Sequence, residues 1–301
     1  MQKTLISIIG STGIGKTKLA IEMAKHFGTE IISCDSRQFF KEMKIGTATP
    51  TDEELAQAKH HFIGHLSVQD YYSIGQYEED ALEKIEEIFE KNDFAVLVGG
   101  SMMYEKAVVE GLNDLPEANA ENQEKLQKIL DEEGLEKLQE ILKNLDEEYY
   151  NVVHKENPRR LLRAIDVIWQ TSRKYSEIIA EPKHKRDFKV VRIGITAPRE
   201  IMYERINLRV DKMLENGLID EVKSLTEYQK LVPLQTVGYT EIFKYLEGTW
   251  DLDFAIEEIK KNSRRYAKRQ ETWNRKVENV TWLPYDYSEE QLDEILSKIE
   301  K

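Results

Sequence analysis

The sequence has little of what marks secreted, membrane or metal-caged proteins. Its 301 residues include one cysteine, Cys34, so an intrachain disulfide and a cysteine zinc cage are both excluded. No apolar run approaches the roughly 20 residues of a membrane-spanning helix, and the N-terminal apolar stretch ends at Gly10, too early for a signal-peptide core. We therefore expect a cytoplasmic protein that does not enter a membrane, and nothing in the sequence demands more than a monomer.

An excess of positive charge is also lacking, because the formal net charge is −13. Taken alone, this value argues against nucleic acid as a partner, since phosphate binding needs local positive charge. The charge is unevenly distributed, however. Residues 112–150 hold 12 acidic and 4 basic residues, whereas 154–186 hold 9 basic and 4 acidic, and 255–276 hold 8 basic and 3 acidic. The two basic windows therefore need a functional explanation.

Hydrophobic patterns predict an α/β protein. Short apolar runs predict buried strands at 5–9, 30–33, 94–98, 190–195 and 280–283, and helical periodicity predicts helices at 16–27, 74–91, 199–228 and 251–276. Residues 119–180 have helical periodicity only. The prediction is an α/β core with a mostly parallel sheet flanked by helices, formed by residues 1–115 and 188–301, plus an all-helical insertion domain at 116–187.

A glycine-rich segment joins the first predicted strand to the first predicted helix. It has the pattern G-x-x-x-x-G-K-T and consists of Gly10, Ser11, Thr12, Gly13, Ile14, Gly15, Lys16 and Thr17. In this context the pattern predicts a phosphate-binding P-loop, with Lys16 as a positive charge and Thr17 as a ligand for Mg²⁺. A nucleotide triphosphatase, a small-molecule kinase and a transferase with a diphosphate leaving group would all suit such a loop.

Polar residues follow the second predicted strand, at the sheet edge where ligands bind in open α/β folds. They are Asp35, Ser36, Arg37 and Gln38. The carboxylate of Asp35 has three possible roles: a magnesium ligand through water, a general base, or the cap of a helix.

Seven short and different sequence blocks are spread along nearly the whole chain. They are 35–50 (DSRQFFKEMKIGTATP), 58–63 (AKHHFI), 99–104 (GGSMMY), 157–164 (NPRRLLRA), 209–222, 237–239 (VGY) and 266–273 (YAKRQETW). With these blocks the chain resembles the bacterial members of the tRNA dimethylallyltransferase family, also called tRNA isopentenyltransferases. The last block is the most specific of them.

The resemblance implies transfer of a dimethylallyl group from dimethylallyl diphosphate to the exocyclic N6 amine of adenosine 37 in tRNA, beside the anticodon. It implies that the P-loop, magnesium on Thr17, and Arg209 stabilise the diphosphate, that Asp35 removes the amine proton, and that Ser101 offers a hydroxyl to the substrate. Gln38 is expected to bind the edge of the adenine. The expected contacts with the tRNA anticodon stem-loop are Asp35, Ser36, Arg37, Gln38, Ser101, Gln123, Arg159, Arg160, Leu161, Leu162 and Arg163. Tyr266, Gln270 and Trp273 are expected to pack on the core.

Three other interpretations stay open on the residues alone. An adenylate isopentenyltransferase of the cytokinin-forming type would share the P-loop and Asp35 but would not need the insertion or the basic helices. A P-loop small-molecule kinase would use Lys16 and Thr17 but leaves the 266–273 block unexplained. An RNA-binding GTPase-like switch would need an N-K-x-D motif, which the sequence lacks.

Overall fold

A computed structural model describes residues 2–300 of the chain and contains one six-stranded sheet. The strands are β1 (Thr4–Gly10), β2 (Ile31–Ser33), β3 (His60–His61), β4 (Phe94–Val98), β5 (Lys189–Thr196) and β6 (Val280–Pro284). Their order across the sheet is β3-β2-β4-β1-β5-β6, and each neighbouring pair is parallel. The prediction of an α/β fold with a mostly parallel sheet is confirmed.

Fourteen α-helices cover most of the remaining described residues. The first seven are α1 (Lys16–Phe27), α2 (Asp52–Leu55), α3 (Ile74–Phe89), α4 (Met102–Glu110), α5 (Ala120–Glu133), α6 (Leu135–Leu145) and α7 (Glu147–Val152). The others are α8 (Pro158–Thr171), α9 (Tyr175–Ile179), α10 (Arg199–Glu215), α11 (Leu218–Ser224), α12 (Tyr239–Leu246), α13 (Leu252–Asn274) and α14 (Glu289–Ile299). In the part of the chain described, no helix is both long and apolar enough to cross a bilayer.

One predicted helix is wrong. The single helix expected over 199–228 is broken into α10, α11 and a 3-10 turn at Thr226–Tyr228. The break lies at Gly217, whose φ of 96° is left-handed and incompatible with a continuous right-handed helix. The short edge strand β3 was not predicted, because two residues are too few to show a periodicity.

The sheet has an apolar core on each face. Leu5 and Leu97 belong to one core, which α3 and α10–α13 help to cover, and Ile6 and Val96 belong to the other, covered by α1 and α14. Successive residues of a strand point to opposite faces, so strands buried on both sides read as the uninterrupted apolar runs seen in the sequence.

The chain divides into two compact units. One comprises the segments up to Val109 and from Arg186 onward, and the other is Glu110–Lys185. The second unit contains α5–α9 and has its own apolar core of residues such as Leu126, Leu138 and Ile165. The sequence predicts 116–187 for this insertion, whereas the compact unit in the structure is Glu110–Lys185.

Candidate active site

Three loops meet at one edge of the sheet because β2, β4 and β1 are neighbouring parallel strands, whose carboxyl ends lie together. The loop after β1 runs over residues 11–15, Asp35 follows β2, and Gly99 and Gly100 follow β4. All three contribute to the lining of a cavity of about 660 Å³. A cavity of this size accommodates a small-molecule substrate.

The loop after β1, which has the sequence of the predicted P-loop, turns its lysine inward. Gly15 has φ 114°, a conformation that favours glycine, and α1 begins at Lys16. The ammonium of Lys16 donates to the carbonyls of Gly10 (3.0 Å) and Ser11 (2.8 Å). Burial lowers the pKa of Lys16 to about 8, although the negative charge of Asp35 opposes that shift. The lysine is therefore held at the loop and charged at neutral pH.

The two glycines after β4 allow close packing against Asp35. A Cβ on Gly99 would lie 2.6 Å from the Asp35 backbone nitrogen, and one on Gly100 would lie 2.9 Å from Asp35 Oδ2. Asp35 Oδ1 accepts the backbone N–H of Arg37 at 3.2 Å. The carboxylate is thus fixed by its own turn and faces the cavity beside the glycine pair.

Ser101, which follows the glycine pair, contacts the residue next to Asp35. Its Oγ accepts the backbone N–H of Ser36 at 3.0 Å and lies 2.8 Å from Ser36 Oγ. These bonds join the loop after β4 to the loop after β2.

Arg209 extends into the site from α10. Its Nη2 donates to the carbonyl of Thr47 at 3.0 Å, and its buried Nε has no hydrogen-bond partner in the described residues. Burial lowers the pKa of the guanidinium, and Asp35 and Glu54 oppose this shift. A buried donor without a partner is costly, so the site is suited to an anionic ligand that would satisfy it. The amide of Gln38 also contacts the loop that contains Thr47, since its Nε2 donates to Thr47 O (3.3 Å) and to Ala48 O (3.2 Å).

A second cavity, of about 260 Å³, adjoins the first. The residues that line both are Thr12, Asp35, Arg209 and Tyr266. The second cavity is also lined by Ser36, Ser101 and apolar side chains such as Val210 and Met213. Asp35 and Arg209 therefore stand between a cavity lined by the P-loop and one lined by hydroxyl and apolar groups.

Gln270 and Tyr266 contact the site loops, which the sequence analysis did not predict. The expectation that Gln270 packs on the core is confirmed by its burial. The Gln270 side chain is 1% exposed; Oε1 accepts the Thr12 N–H at 2.8 Å and Nε2 donates to Gly100 O at 2.7 Å. The hydroxyl of Tyr266 also donates to Gly100 O, at 3.0 Å. Gln270 thus links the P-loop to the glycine turn beside Asp35. The signal that could have found it was an amide on the inward face of α13 between buried positions.

A partly buried hydrogen-bond network positions the loop that contains Thr47. The carboxylate of Glu221 accepts the N–H groups of Ile45 (2.7 Å) and Gly46 (2.9 Å) and the hydroxyl of Tyr239 (2.6 Å). A Cβ on Gly46 would lie 2.5 Å from the Tyr239 ring, so only glycine fits there. The two residues that precede Thr47 are therefore bound to the Glu221 carboxylate.

In the helical unit, the residues expected to bind tRNA divide into two groups. Gln123 on α5 is half-buried, whereas Arg159 and Arg160 are exposed at the start of α8. The side chains of Leu161 and Leu162 are buried in the core of this unit, and their expected contacts with tRNA stay a prediction.

Arg163 also has a structural environment. Its guanidinium donates to Asp166 Oδ2 (3.3 Å) and to Pro116 O (2.5 Å), and Asp166 is fully buried. The buried carboxylate of Asp166 needs such partners, so Arg163 takes part in an internal ion pair, and its expected RNA contact stays a prediction.

The donors for a divalent cation are few. Thr17 and Asp35 line the larger cavity, and residues 2–300 contain no group of three histidine, cysteine or acidic side chains that would cage a metal. Mg²⁺ commonly takes one or two protein ligands and fills the rest of its shell with phosphate oxygens and water. The site therefore fits a magnesium ion that arrives with a phosphorylated substrate.

Comparison with known proteins identifies the family of this chain. The family model described as IPP transferase matches residues 38–277. The chain belongs to the IPP transferase family. A protein of Christiangramia forsetii named tRNA dimethylallyltransferase is 50% identical over 99% of both chains, and one of Bacteroides fragilis named tRNA dimethylallyltransferase 1 is 46% identical over 99% of this chain and 98% of that one.

Solved IPP transferases have the same architecture. The crystal structure of the full-length tRNA isopentenylpyrophosphate transferase from Bacillus halodurans aligns with a TM-score of 0.74 at 35% identity, covering 99% of this chain and 96% of that one. A eukaryotic dimethylallyltransferase acting on tRNA aligns with a TM-score of 0.84 at 27% identity, over 99% of this chain and 77% of that chain.

Proposed function

We propose that this protein transfers the dimethylallyl group of dimethylallyl diphosphate to the exocyclic N6 amine of adenosine 37 in the anticodon stem-loop of tRNA. The observation that carries the proposal is the position of Asp35 and Arg209 on the wall shared by two cavities. A diphosphate in the larger cavity and an adenine in the smaller one would meet at these two residues.

The leaving group is served by the larger cavity. In the transfer, the bond from the allylic carbon to the diphosphate oxygen breaks, and its electron pair leaves with the diphosphate. The ammonium of Lys16, the N–H groups at the start of α1 and the unpartnered Nε of Arg209 stabilise that negative charge.

The acceptor is served by Asp35. As the new bond forms between the allylic carbon and N6, the amine must lose a proton, and the carboxylate of Asp35 accepts it. The hydroxyls of Ser36 and Ser101, which line the smaller cavity, supply hydrogen-bonding groups for an adenine drawn out of its stack, whereas the amide of Gln38 lines the larger cavity.

Magnesium has a supporting role in the proposal. The hydroxyl of Thr17 would hold the ion, together with diphosphate oxygens and water. When bound, the ion neutralises part of the negative charge of the diphosphate.

The helical unit contributes exposed cations. Arg159 and Arg160 at the start of α8 are the residues we propose for contacts with phosphates of the anticodon stem. The proposal includes a monomeric enzyme working in the cytoplasm, where its tRNA substrate is found.

The test is transfer of radiolabelled dimethylallyl diphosphate to an unmodified anticodon stem-loop with adenosine at position 37. We expect label on the RNA, and Asp35→Asn should lower kcat by about 10²–10⁴-fold, because it removes the base and keeps the shape. AMP and magnesium ATP serve as alternative substrates. Label on AMP but not on RNA, or consumption of ATP without prenyl transfer, would refute the proposal.

A further inference from the structure

The backbone carbonyl of Thr47 is an acceptor shared by two side chains of the site. Arg209 Nη2 donates to it at 3.0 Å, and Gln38 Nε2 donates to it at 3.3 Å. The bond to Thr47 is the only hydrogen bond that Arg209 forms within residues 2–300, since its Nε has no partner there. The direction in which the guanidinium points therefore depends on where the loop places this one carbonyl.

The loop that contains Thr47 is strained next to that carbonyl. Ala48 has φ 45°, a left-handed value that a residue with a side chain rarely adopts. Two backbone bonds close the loop, from the N–H of Ala48 to Ile45 O (2.9 Å) and from the N–H of Thr49 to Lys44 O (3.0 Å). A strained residue of this kind persists where the surrounding structure holds it in place. A contact from outside the loop is therefore expected.

Glu221 of α11 makes that contact with both of its carboxylate oxygens. Oε2 accepts the N–H of Ile45 at 2.7 Å, and Oε1 accepts the N–H of Gly46 at 2.9 Å and the hydroxyl of Tyr239 at 2.6 Å. Burial raises the pKa of Tyr239, and the charge of Glu221 raises it further, so the hydroxyl keeps its proton and donates. These three donors are uncharged, and a carboxylate binds such donors more strongly than a neutral amide does.

We propose that Glu221 is a positioning residue for the transfer, which holds Ile45 and Gly46 so that the Thr47 carbonyl orients Arg209 toward the diphosphate. The inference rests on the proposed function, because it takes the ligand of Arg209 to be the leaving diphosphate. Glu221 lines neither the larger nor the smaller cavity, so it acts through the loop and not by touching a substrate.

The test is a double-mutant cycle in which calorimetry measures the binding of inorganic diphosphate at a fixed magnesium concentration. The proteins are the parent, Glu221→Gln, Arg209→Gln and the double variant. A glutamine has one acceptor oxygen in place of two, so one N–H group of the loop loses its partner. We expect the affinity to fall about 10–100-fold in Arg209→Gln and about 5–20-fold in Glu221→Gln. In the Arg209→Gln background, Glu221→Gln should change the affinity by less than about twofold, because the guanidinium through which it acts is gone.

Two further variants isolate the carboxylate. Asp220→Asn removes the same charge from the preceding residue of α11, whose side chain is exposed, and should keep the affinity within about twofold of the parent value. Tyr239→Phe removes one donor from Glu221 and keeps the ring against Gly46, so it should lower the affinity about 2–5-fold. Tyr239→Phe also takes the place of Glu221→Gln in the cycle if the glutamine variant does not fold.

The two backgrounds decide the outcome. An equal effect of Glu221→Gln in both, or no effect in either, overturns the inference, even if the parent transfers label to RNA. A loss confined to the background with Arg209, in a parent that binds diphosphate but transfers no label, would support the positioning role and contradict the proposed function. A parent without affinity for diphosphate would contradict both.

Discussion

Two arginines that both belong to family sequence blocks have opposite surroundings. Arg209, in the catalytic unit, binds the Thr47 carbonyl, keeps an unpartnered buried Nε and lines both cavities. Arg163, in the helical unit, gives its N–H groups to Asp166 and to Pro116 O. A sequence block therefore identifies a residue, but its hydrogen-bond partners decide whether its charge is available to a ligand.

Buried polar side chains show the same contrast between the two units. In the catalytic unit, Gln270 binds backbone groups of two different site loops. In the helical unit, Asp146 and Asp166 bind groups at or near helix starts, such as the N–H of Ser176 and the side chain of Asn122. The first arrangement positions a site, and the second stabilises the packing of short helices.

The strongest test of the comparison is Arg209→Gln, which keeps an N–H donor near Thr47 but removes the charge. We expect kcat/KM for dimethylallyl diphosphate to fall by about 10²–10³-fold, because charge on the leaving diphosphate loses a stabilising cation. Arg209→Lys should recover part of the loss, since it restores the charge without the planar fork. Steady-state kinetics at saturating RNA measure both. A fall of less than about threefold in the glutamine variant would contradict the assignment.

Substitution of Gln270 should have the second largest effect on the kinetics. Gln270→Met leaves the partly buried Thr12 N–H without a partner, which costs roughly 1–3 kcal/mol, and leaves the Gly100 carbonyl with the Tyr266 hydroxyl as its remaining side-chain donor. We expect kcat/KM to fall about 10–100-fold, with effects on both kcat and the KM for dimethylallyl diphosphate. Gln270→Glu keeps the acceptor for Thr12 and loses only the donor to Gly100, so kcat should fall more than KM rises. Equal kinetics for the two variants would remove Gln270 as a positioning residue.

The protonation of Lys16 gives a smaller, pH-dependent effect. Burial lowers its pKa to about 8, so the ammonium is charged below that pH and loses its proton above it. Affinity for the anionic diphosphate should therefore decrease as pH rises through 8, by about tenfold at pH 9 relative to pH 7. Calorimetry over this range measures the decrease. Lys16→Arg, which stays charged, should show a flat profile, and a parallel decrease in that variant would assign the titration to another group.

The sequence predicts those features that depend on neighbouring residues along the chain. The G-x-x-x-x-G-K-T pattern and the apolar run before it locate β1, the P-loop and α1, because strand, turn and helix are adjacent in sequence. Gln270 lies 170 residues from Gly100 and 258 residues from Thr12 along the chain, so no local pattern reveals the link that it makes between them. The break at Gly217 was likewise missed, because apolar spacing continues on both sides of it.

We expect substitution of Arg163 to have the smallest effect on the transfer rate, although its sequence block predicts a contact with RNA. Arg163→Ala leaves the fully buried Asp166 with one partner fewer, so we expect a loss of roughly 1–3 kcal/mol, seen as a melting temperature lower by several degrees. The rate of transfer should be unchanged at temperatures where the protein is folded. Arg159→Ala, on the same helix but exposed, is the matched control and should show the opposite result, a normal melting temperature with weaker binding of the stem-loop. If Arg163→Ala instead melts normally and loses RNA affinity, the ion pair with Asp166 does not stabilise the protein in solution. Arg163 would then bind RNA, as its sequence block predicts.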